Sequence, residues 1–268
     1  MKRLVQTALA LLLFGGTAHA GDLRELCSDR PGKATPACTL DPGHVEYETS
    51  LADWTRDRSG GAREDTLLVA DSLPRIGLTS DTEAQIGWTP WGHVRTHEPG
   101  GAITKMSGAG DVTLALRHNL RNPDGSGTSI AFQPFVSLPT GGKAISDGDW
   151  GAGLTVPVSF SLPHDMQFAV VPTAEAAVDA DGTGRHSAYE LATALTAPLG
   201  DNGLSASVEF WGQRDNDPSG HSSQYSADVM GIWQPKQLAN VQFDIGSYVG
   251  LNRNTPDIQL LGGVAIRF

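Results

Sequence analysis

Acidic and basic side chains recur at alternate positions along many stretches of this sequence, and such spacing can line a water-filled lumen. Alternate residues of a β-strand point to the same side of a sheet, so these charges would share one face. An acid-rich lumen raises the local concentration of cations and disfavours anions without any catalytic group. The candidate lining residues are Glu46, Glu48, Arg75, Glu83, Arg117, Glu175, Glu190, Glu209, Asp228 and Asp244.

The same charges could instead pair across neighbouring strands and fill the interior, and the residues alone leave both interpretations open. Arg75, Glu83 and Arg117 are expected to form an ion-pair ladder, because the short turn at 79–81 places the strands before and after it side by side. Stability is the expected role of that ladder. Inward aromatic residues such as Phe135, Trp211 and Tyr248 would suit an aromatic solute or would act as filler.

The elements that must position these side chains are strands of alternating polarity. In residues 240–251, for example, Val241, Phe243 and Ile245 alternate with Gln242 and Asp244. Similar strands are predicted at 44–54, 66–78, 82–91, 109–120, 128–139, 150–162, 166–179, 186–198, 203–214, 222–234, 239–251 and 257–268. No helical periodicity of useful length competes with them.

The connectors between these segments alternate between short and longer ones. The short set includes residues 79–81, 163–165, 200–203 and 235–238, and the longer set includes 55–65, 92–108, 140–149, 180–185, 215–221 and 252–256. Outer-membrane barrels have short periplasmic turns and longer extracellular loops. The predicted fold is therefore an all-β, closed antiparallel transmembrane β-barrel of about 12 strands, with both termini in the periplasm.

The two ends of the chain predict export to the outer membrane of a Gram-negative bacterium. Lys2 and Arg3 precede an apolar stretch at 4–14 and the small-residue site at 18–20, which is the pattern of a secretory signal peptide over residues 1–20. The chain ends in an alternating strand whose last residue is Phe268, the kind of strand that the barrel-assembly machinery would recognise. Residues 21–43 are predicted to form a periplasmic segment and residues 44–268 the barrel, surrounded by lipid and lipopolysaccharide.

Cys27 and Cys38 are expected to form a disulfide, because an exported chain meets an oxidising compartment. The bridge would close a small loop in the N-terminal segment. A metal site is the alternative for the two thiols, but no histidine lies close to them in sequence.

The composition argues against a nucleic-acid-binding protein and leaves one rival fold to the barrel. A net charge of −11 argues against a nucleic-acid partner. The mean hydropathy of −0.20 resembles that of a soluble protein, although a barrel with a polar interior gives similar values. A secreted β-sandwich is the rival fold; long consecutive strands, and aromatic residues near their ends such as Trp54, Trp88 and Trp233, favour the barrel.

Three segments resemble a known family. They are R-I-G-L-T-S-D-T-E-A-Q-I-G at 75–87, G-D-V-T-L-A-L-R-H-N-L at 110–120 and F-V-S-L-P-T-G at 135–141. In this order and spacing they resemble the MetA-pathway phenol-degradation family of outer-membrane β-barrel proteins. The resemblance implies a transporter of hydrophobic or aromatic compounds, with no catalytic residue set and no cofactor.

From the residues and the resemblance together we expect a channel for small solutes, possible substrates being hydrophobic or aromatic, working by passive diffusion. Two alternatives from other classes stay open: a lipid-modifying hydrolase at the barrel rim and a structural or adhesive barrel. A rim hydrolase would need a Ser/His pair in contact, and only sequence neighbours such as His186 and Ser187 are available. His93 and His97 lack an evident third ligand, so no metal site is predicted.

Overall fold

The computed structural model describes residues 23–268, and the predicted signal peptide and cleavage site lie outside the described residues. Sixteen strand segments make up the described chain: β1 Val45–Ser59, β2 Ala62–Val69, β3 Asp71–Gly77, β4 Thr82–Trp88, β5 Trp91–His97, β6 Ile103–Gly108, β7 Val112–Arg121, β8 Thr128–Leu138, β9 Gly151–Thr155, β10 Val158–Ser161, β11 Gln167–Val178, β12 Arg185–Pro198, β13 Leu204–Asp215, β14 Ser222–Trp233, β15 Val241–Gly250 and β16 Ile258–Arg267. Within residues 23–268 the single helical element is a 3₁₀ turn at Pro163–Asp165.

Four barrel strands are interrupted, so the sixteen segments form 12 strands. The interruptions separate β2 from β3, β4 from β5, β6 from β7 and β9 from β10. Ala70, between β2 and β3, adopts a left-handed φ of 58°, which breaks the ladder there. Pro90 and Pro157 lie in two of the other interruptions, where proline cannot donate a ladder hydrogen bond.

The first and last strands close the barrel. Strand β1 pairs antiparallel with β16 from Glu46 opposite Arg267 to Arg56 opposite Ile258, with one bulge between Ser50 and Ala52. Neighbouring strands pair antiparallel around the ring. The predicted closed antiparallel barrel of 12 strands is confirmed.

The barrel is apolar outside and polar inside, the reverse of a soluble protein. Exposed apolar side chains cover the outer wall, while charged side chains are among the most deeply buried. The outward set includes Tyr47, Leu51, Ile76, Ile86, Leu114, Leu116, Leu191, Leu195, Val208, Phe210, Val229, Ile245, Val249 and Leu260. Because an exposed apolar wall of this extent is stable against lipid and not against water, the chain is an outer-membrane barrel.

No helix in the described part of the chain is long and apolar enough to cross a membrane.

Aromatic residues mark both edges of the apolar wall. Trp233 packs on Phe243, with ring centroids 5.7 Å apart, near the periplasmic turns. Trp54 and Trp91 lie toward the extracellular edge. Trp54 is nine residues beyond Val45, where its barrel strand begins at the periplasmic side, and Trp91 is nine residues beyond Thr82, where its own barrel strand begins. Nine residues span about 30 Å along a strand, or roughly 23 Å of height at a tilt of about 40°, which matches the apolar band of outer-membrane barrels.

Strands continue above this band where loops were predicted. The predicted loops at 55–65 and 92–108 contain the end of β1 and much of β2, β5 and β6, so this part of the loop prediction is wrong. We call residues 55–69 and 91–108 the extracellular extension. Its strands carry polar side chains on both faces, as in Arg63, Glu64 and Asp65, so they lack the apolar alternation on which the sequence prediction depended.

Candidate functional site

Residues 23–43, which we call the N-terminal segment, lie inside the barrel. Backbone and side-chain groups of the segment bind inward-facing residues of β1, β7, β13 and β15. Contacts with strands on all sides of the ring place the segment across the lumen. This differs from the expected periplasmic location of residues 21–43; the reason is that the segment's donors satisfy buried lumen carboxylates that would otherwise lack partners.

The predicted disulfide between Cys27 and Cys38 is present. It closes a loop of the segment whose middle, from Asp29 to Lys33, makes most of the charged contacts with the wall. The bridge therefore holds together the part of the segment that binds the lumen.

One buried ion network joins the segment to β1, β3, β4 and β7. Arg75 lies 2.7 Å from Glu48 and 2.8 Å from Glu83, both as N–O distances. Arg117 donates two hydrogen bonds to Asp29 of the segment, at 2.8 and 2.7 Å. Arg117 also lies 3.5 Å from Glu83, so the predicted pairing of Arg75, Glu83 and Arg117 is present.

Glu46 and Glu48 complete this network. Glu46 lies 3.6 Å from Arg75, and neither of its carboxyl oxygens has a hydrogen-bond partner among the described residues. Glu48 accepts hydrogen bonds from the backbone N–H groups of Asp29 and Arg30, at 3.0 and 3.1 Å. Removing one member of such a buried set leaves the others without a compensating charge, which is strongly destabilising.

A second charged group joins the segment to the opposite wall. Arg30 donates two parallel hydrogen bonds to Asp244, at 3.1 and 2.7 Å. The ammonium group of Lys33 lies 3.0 Å from Asp228, and the backbone N–H groups of Lys33 and Ala34 donate to Glu209 at 3.0 and 2.7 Å. The lumen acids on β13, β14 and β15 are therefore occupied by the segment.

Aromatic side chains surround Lys33. Its ammonium group lies 3.6 Å from the ring centroid of Tyr248 and 5.2 Å from that of Trp211. The hydroxyl of Tyr248 donates to the carbonyl of Pro31. Cation–π contacts of this kind favour the docked position of the segment.

Two adjoining cavities remain on the extracellular side of the segment. One, of about 230 Å³, is lined by Lys33, Phe135, Glu175, Glu190 and Trp211, among others. The other, of about 470 Å³, is lined by the segment and by residues higher on the wall, such as Asp53 and Asp71. Lys33, Thr35, Gln133 and Phe135 line both cavities, so the two form a cup whose floor is the N-terminal segment.

The predicted lining residues therefore divide into two groups. Most are buried against the segment or one another: Glu46, Glu48, Arg75, Glu83, Arg117, Glu209, Asp228 and Asp244. Glu175 and Glu190 instead line the cup, together with Asp53 and Asp71, where no basic wall residue pairs with them among the described ion pairs. Asp29, Arg30 and Lys33 are not among the predicted lining residues. The basic pair in R-P-G-K, next to an acid-rich barrel, is the sequence feature that could have indicated them.

The rim carries a group with possible metal ligands. Nδ1 of His186 lies 3.0 Å from Asp179 and 3.5 Å from Asp217, and Nε2 lies 3.1 Å from Asp215. This group joins the loop after β11 to the loop after β13. Ser187, the sequence neighbour considered for a hydrolase, instead accepts a hydrogen bond from Asn216 at 3.2 Å.

Comparison with known proteins places this geometry in a family. The model of the family described as "Putative MetA-pathway of phenol degradation" matches residues 28–268. The chain belongs to this family. The match begins at Ser28, inside the N-terminal segment, and so covers most of that segment as well as the barrel.

Solved structures similar to this family member include an outer-membrane channel, a porin and an autotransporter β domain. An outer-membrane channel from Pseudomonas putida F1 aligns with a TM-score of 0.66 at 16% identity, covering 89% of this chain and 99% of that one. The NanC porin aligns with a TM-score of 0.51 at 9% identity, covering 83% and 98%. The β domain of the Bordetella autotransporter BrkA also reaches 0.51, at 11% identity, covering 85% and 100%. These identities establish a shared fold, and no curated protein matches the chain.

Proposed function

We propose that this protein is an outer-membrane channel that admits small solutes through its extracellular cup and is restricted by its N-terminal segment. The observation that carries the proposal is the cup itself, a cavity with an acidic and aromatic lining that ends on a docked piece of chain. A barrel with only a structural role needs no such cavity. The family description and the fold of the Pseudomonas putida channel support the same role.

The preferred solutes are small, uncharged or positively charged, and partly aromatic. Glu175, Glu190, Asp53 and Asp71 give the cup an excess of negative charge, because Lys33 and Arg30 are already paired with Asp228 and Asp244. Phe135 and Trp211 supply an apolar wall on which an aromatic ring could stack. The proposed movement is passive diffusion of the solute down its gradient through the cup.

Ion selectivity tests the charge of the cup. A carboxylate about 8 Å from a passing cation contributes about 0.5 kcal/mol in water, so removing two should lower the preference for cations about fivefold. We would measure the reversal potential of the refolded mature chain and of Glu175→Gln/Glu190→Gln in a planar bilayer with a salt gradient. The control pair, Asp165→Asn/Asp201→Asn, lies on two exposed turns outside the cup and should keep the wild-type reversal potential.

Solute entry is tested with liposomes. After subtraction of entry into protein-free liposomes, which phenol crosses unaided, phenol and 4-(aminomethyl)phenol, a cation at neutral pH, should enter proteoliposomes faster than benzoate. Equal rates for the three, or faster entry of benzoate, would contradict the proposed selectivity. A folded barrel that admits none of them would favour the structural alternative.

A further inference from the structure

The outer face of the extracellular extension carries a concentration of basic residues. Asp53 and Val94 are buried and point inward. Because neighbouring side chains alternate, Trp54, Arg56 and Arg58 of β1 and His93, Arg95 and His97 of β5 point outward. The register places Arg63 and Asp65 of β2, and Lys105 of β6, on this same face.

We call Arg56, Arg58, Arg63, Arg95 and Lys105 the outward basic face. Like charges lie directly opposite one another twice in it: Arg58 opposite Arg63, and Arg95 opposite Lys105. Such pairs destabilise a sheet unless an anion lies between them. In a chain with a net charge of −11, this grouping is a local feature rather than a consequence of composition.

The acids near this face neutralise only part of it. Asp65 lies 2.9 Å from both Arg56 and Arg63, and Asp257 lies 2.9 Å from Arg58. Among residues 23–268, the structure gives no carboxylate partner to Arg95 or Lys105, and Nε of Arg95 is buried without a hydrogen-bond partner. Two cations next to each other therefore remain available to an anion.

The height of the face matches the phosphate level of the outer leaflet. Trp54 and Trp91 mark the upper edge of the apolar wall, and Arg95 follows Trp91 by four residues, or about 10 Å of height at a tilt of about 40°. Lipopolysaccharide forms the outer leaflet of this membrane, and its lipid A part carries phosphate groups directly above the acyl chains. Arginine binds phosphate through two parallel hydrogen bonds, and basic clusters beside a membrane bind anionic lipid.

We propose that the outward basic face binds the lipid A phosphates of a lipopolysaccharide molecule, with Arg95 and Lys105 as the phosphate-binding residues and Arg63, which shares Asp65 with Arg56, as the third cation beside them. The charge of the face, its opposed like charges and its position above Trp54 and Trp91 all fit this ligand. The pKa of His97 reflects the same group of cations. Desolvation, and then the positive charges of Arg63, Arg95 and Lys105, lower the pKa of its imidazole.

Native mass spectrometry of the folded full-length mature barrel in detergent tests the proposal. The probes are bis-phosphorylated lipid A, the same lipid A with both phosphates removed, and phosphatidylglycerol. The variant Arg63→Gln/Arg95→Gln/Lys105→Gln removes the proposed contacts, and Arg56 remains to pair with Asp65. The charge-matched control is Lys143→Gln/Arg214→Gln/Arg253→Gln, whose residues are exposed outside the face.

We expect wild type to bind phosphorylated lipid A at least tenfold more tightly than the dephosphorylated form or phosphatidylglycerol. The test variant should lose that preference, and the control variant should keep it. Equal loss in both variants would overturn the proposal, as would equal binding of the three probes by wild type. The single variant Lys105→Glu, at an exposed residue, should weaken binding as well; unchanged affinity there would also count against the face.

Discussion

Replacing Arg30 with glutamine should release the N-terminal segment from the lumen wall while leaving the barrel folded. The Arg30 guanidinium makes two parallel hydrogen bonds to Asp244, whose side chain is fully buried, and a third to Ser50. Glutamine cannot reproduce the paired geometry and leaves the Asp244 carboxylate without its cation.

The size of the effect follows from the burial of the pair. Removing one partner of a buried ion pair costs about 3 kcal/mol or more. The strand ladders of the barrel do not include Arg30, so this cost falls on the docked state of the segment. At about 1.4 kcal/mol per factor of ten, the ratio of docked to undocked segment should fall roughly a hundredfold.

Two assays measure this change on the same sample. Hydrogen exchange at residues 28–40 should become faster by about the same factor, and single-channel recordings should show longer or more frequent open periods. Arg30→Gln/Asp244→Asn, which removes both charges, should recover much of the wild-type protection, and the exposed control Arg214→Gln should behave as wild type. Unchanged exchange and unchanged currents in Arg30→Gln would refute the role assigned to the pair.

Three further predictions concern the disulfide, the cup and the extension. Cys27→Ser/Cys38→Ser, or reduction of the wild type, should weaken docking of the segment by up to about 3 kcal/mol, the loop-closure value for a loop of this length, and should increase channel opening in bilayer recordings; unaltered opening would contradict it. Trp211→Ala should slow the protein-dependent part of phenol entry into liposomes more than that of a non-aromatic solute of equal size. Trp233→Ala, at the outer wall, should affect the two solutes equally. Because the pKa of His97 is lowered in the folded protein, its contribution to the free energy of unfolding is present above the ordinary histidine pKa and is lost as the pH falls through the lowered value. Arg95→Gln should move that pKa upward in an NMR titration. An unchanged or lower pKa would contradict the assigned cause.

Alternation of residue polarity was sufficient to predict the barrel. Strands such as β15 place Phe243 and Ile245 toward lipid and Gln242 and Asp244 toward the lumen. The alternation therefore shows which side of each strand faces lipid. The alternation disappears above the membrane, where Arg63, Glu64 and Asp65 are polar on both faces. The polarity pattern therefore predicts loops at the end of β1, in the first half of β2 and over most of β5 and β6.

The inward residues were predictable, but their partners were not. Glu48, Glu209 and Asp244 were assigned to the lumen from strand parity alone, and all are buried there. Their partners lie in a segment without periodic secondary structure, and a contact such as that between Arg30 and Asp244 joins residues 214 positions apart. Local sequence patterns contain no information on contacts at such a distance, so the segment was predicted to lie outside the barrel.

Single-channel recording of the oxidised, refolded mature chain in a planar bilayer tests the central claim most directly. The expected currents are small, discrete, cation-preferring steps that become larger or more frequent in Arg30→Gln and under reduction. A barrel that is folded by its heat-modifiable mobility on a gel yet never conducts, in the wild type or in Arg30→Gln, would contradict the account.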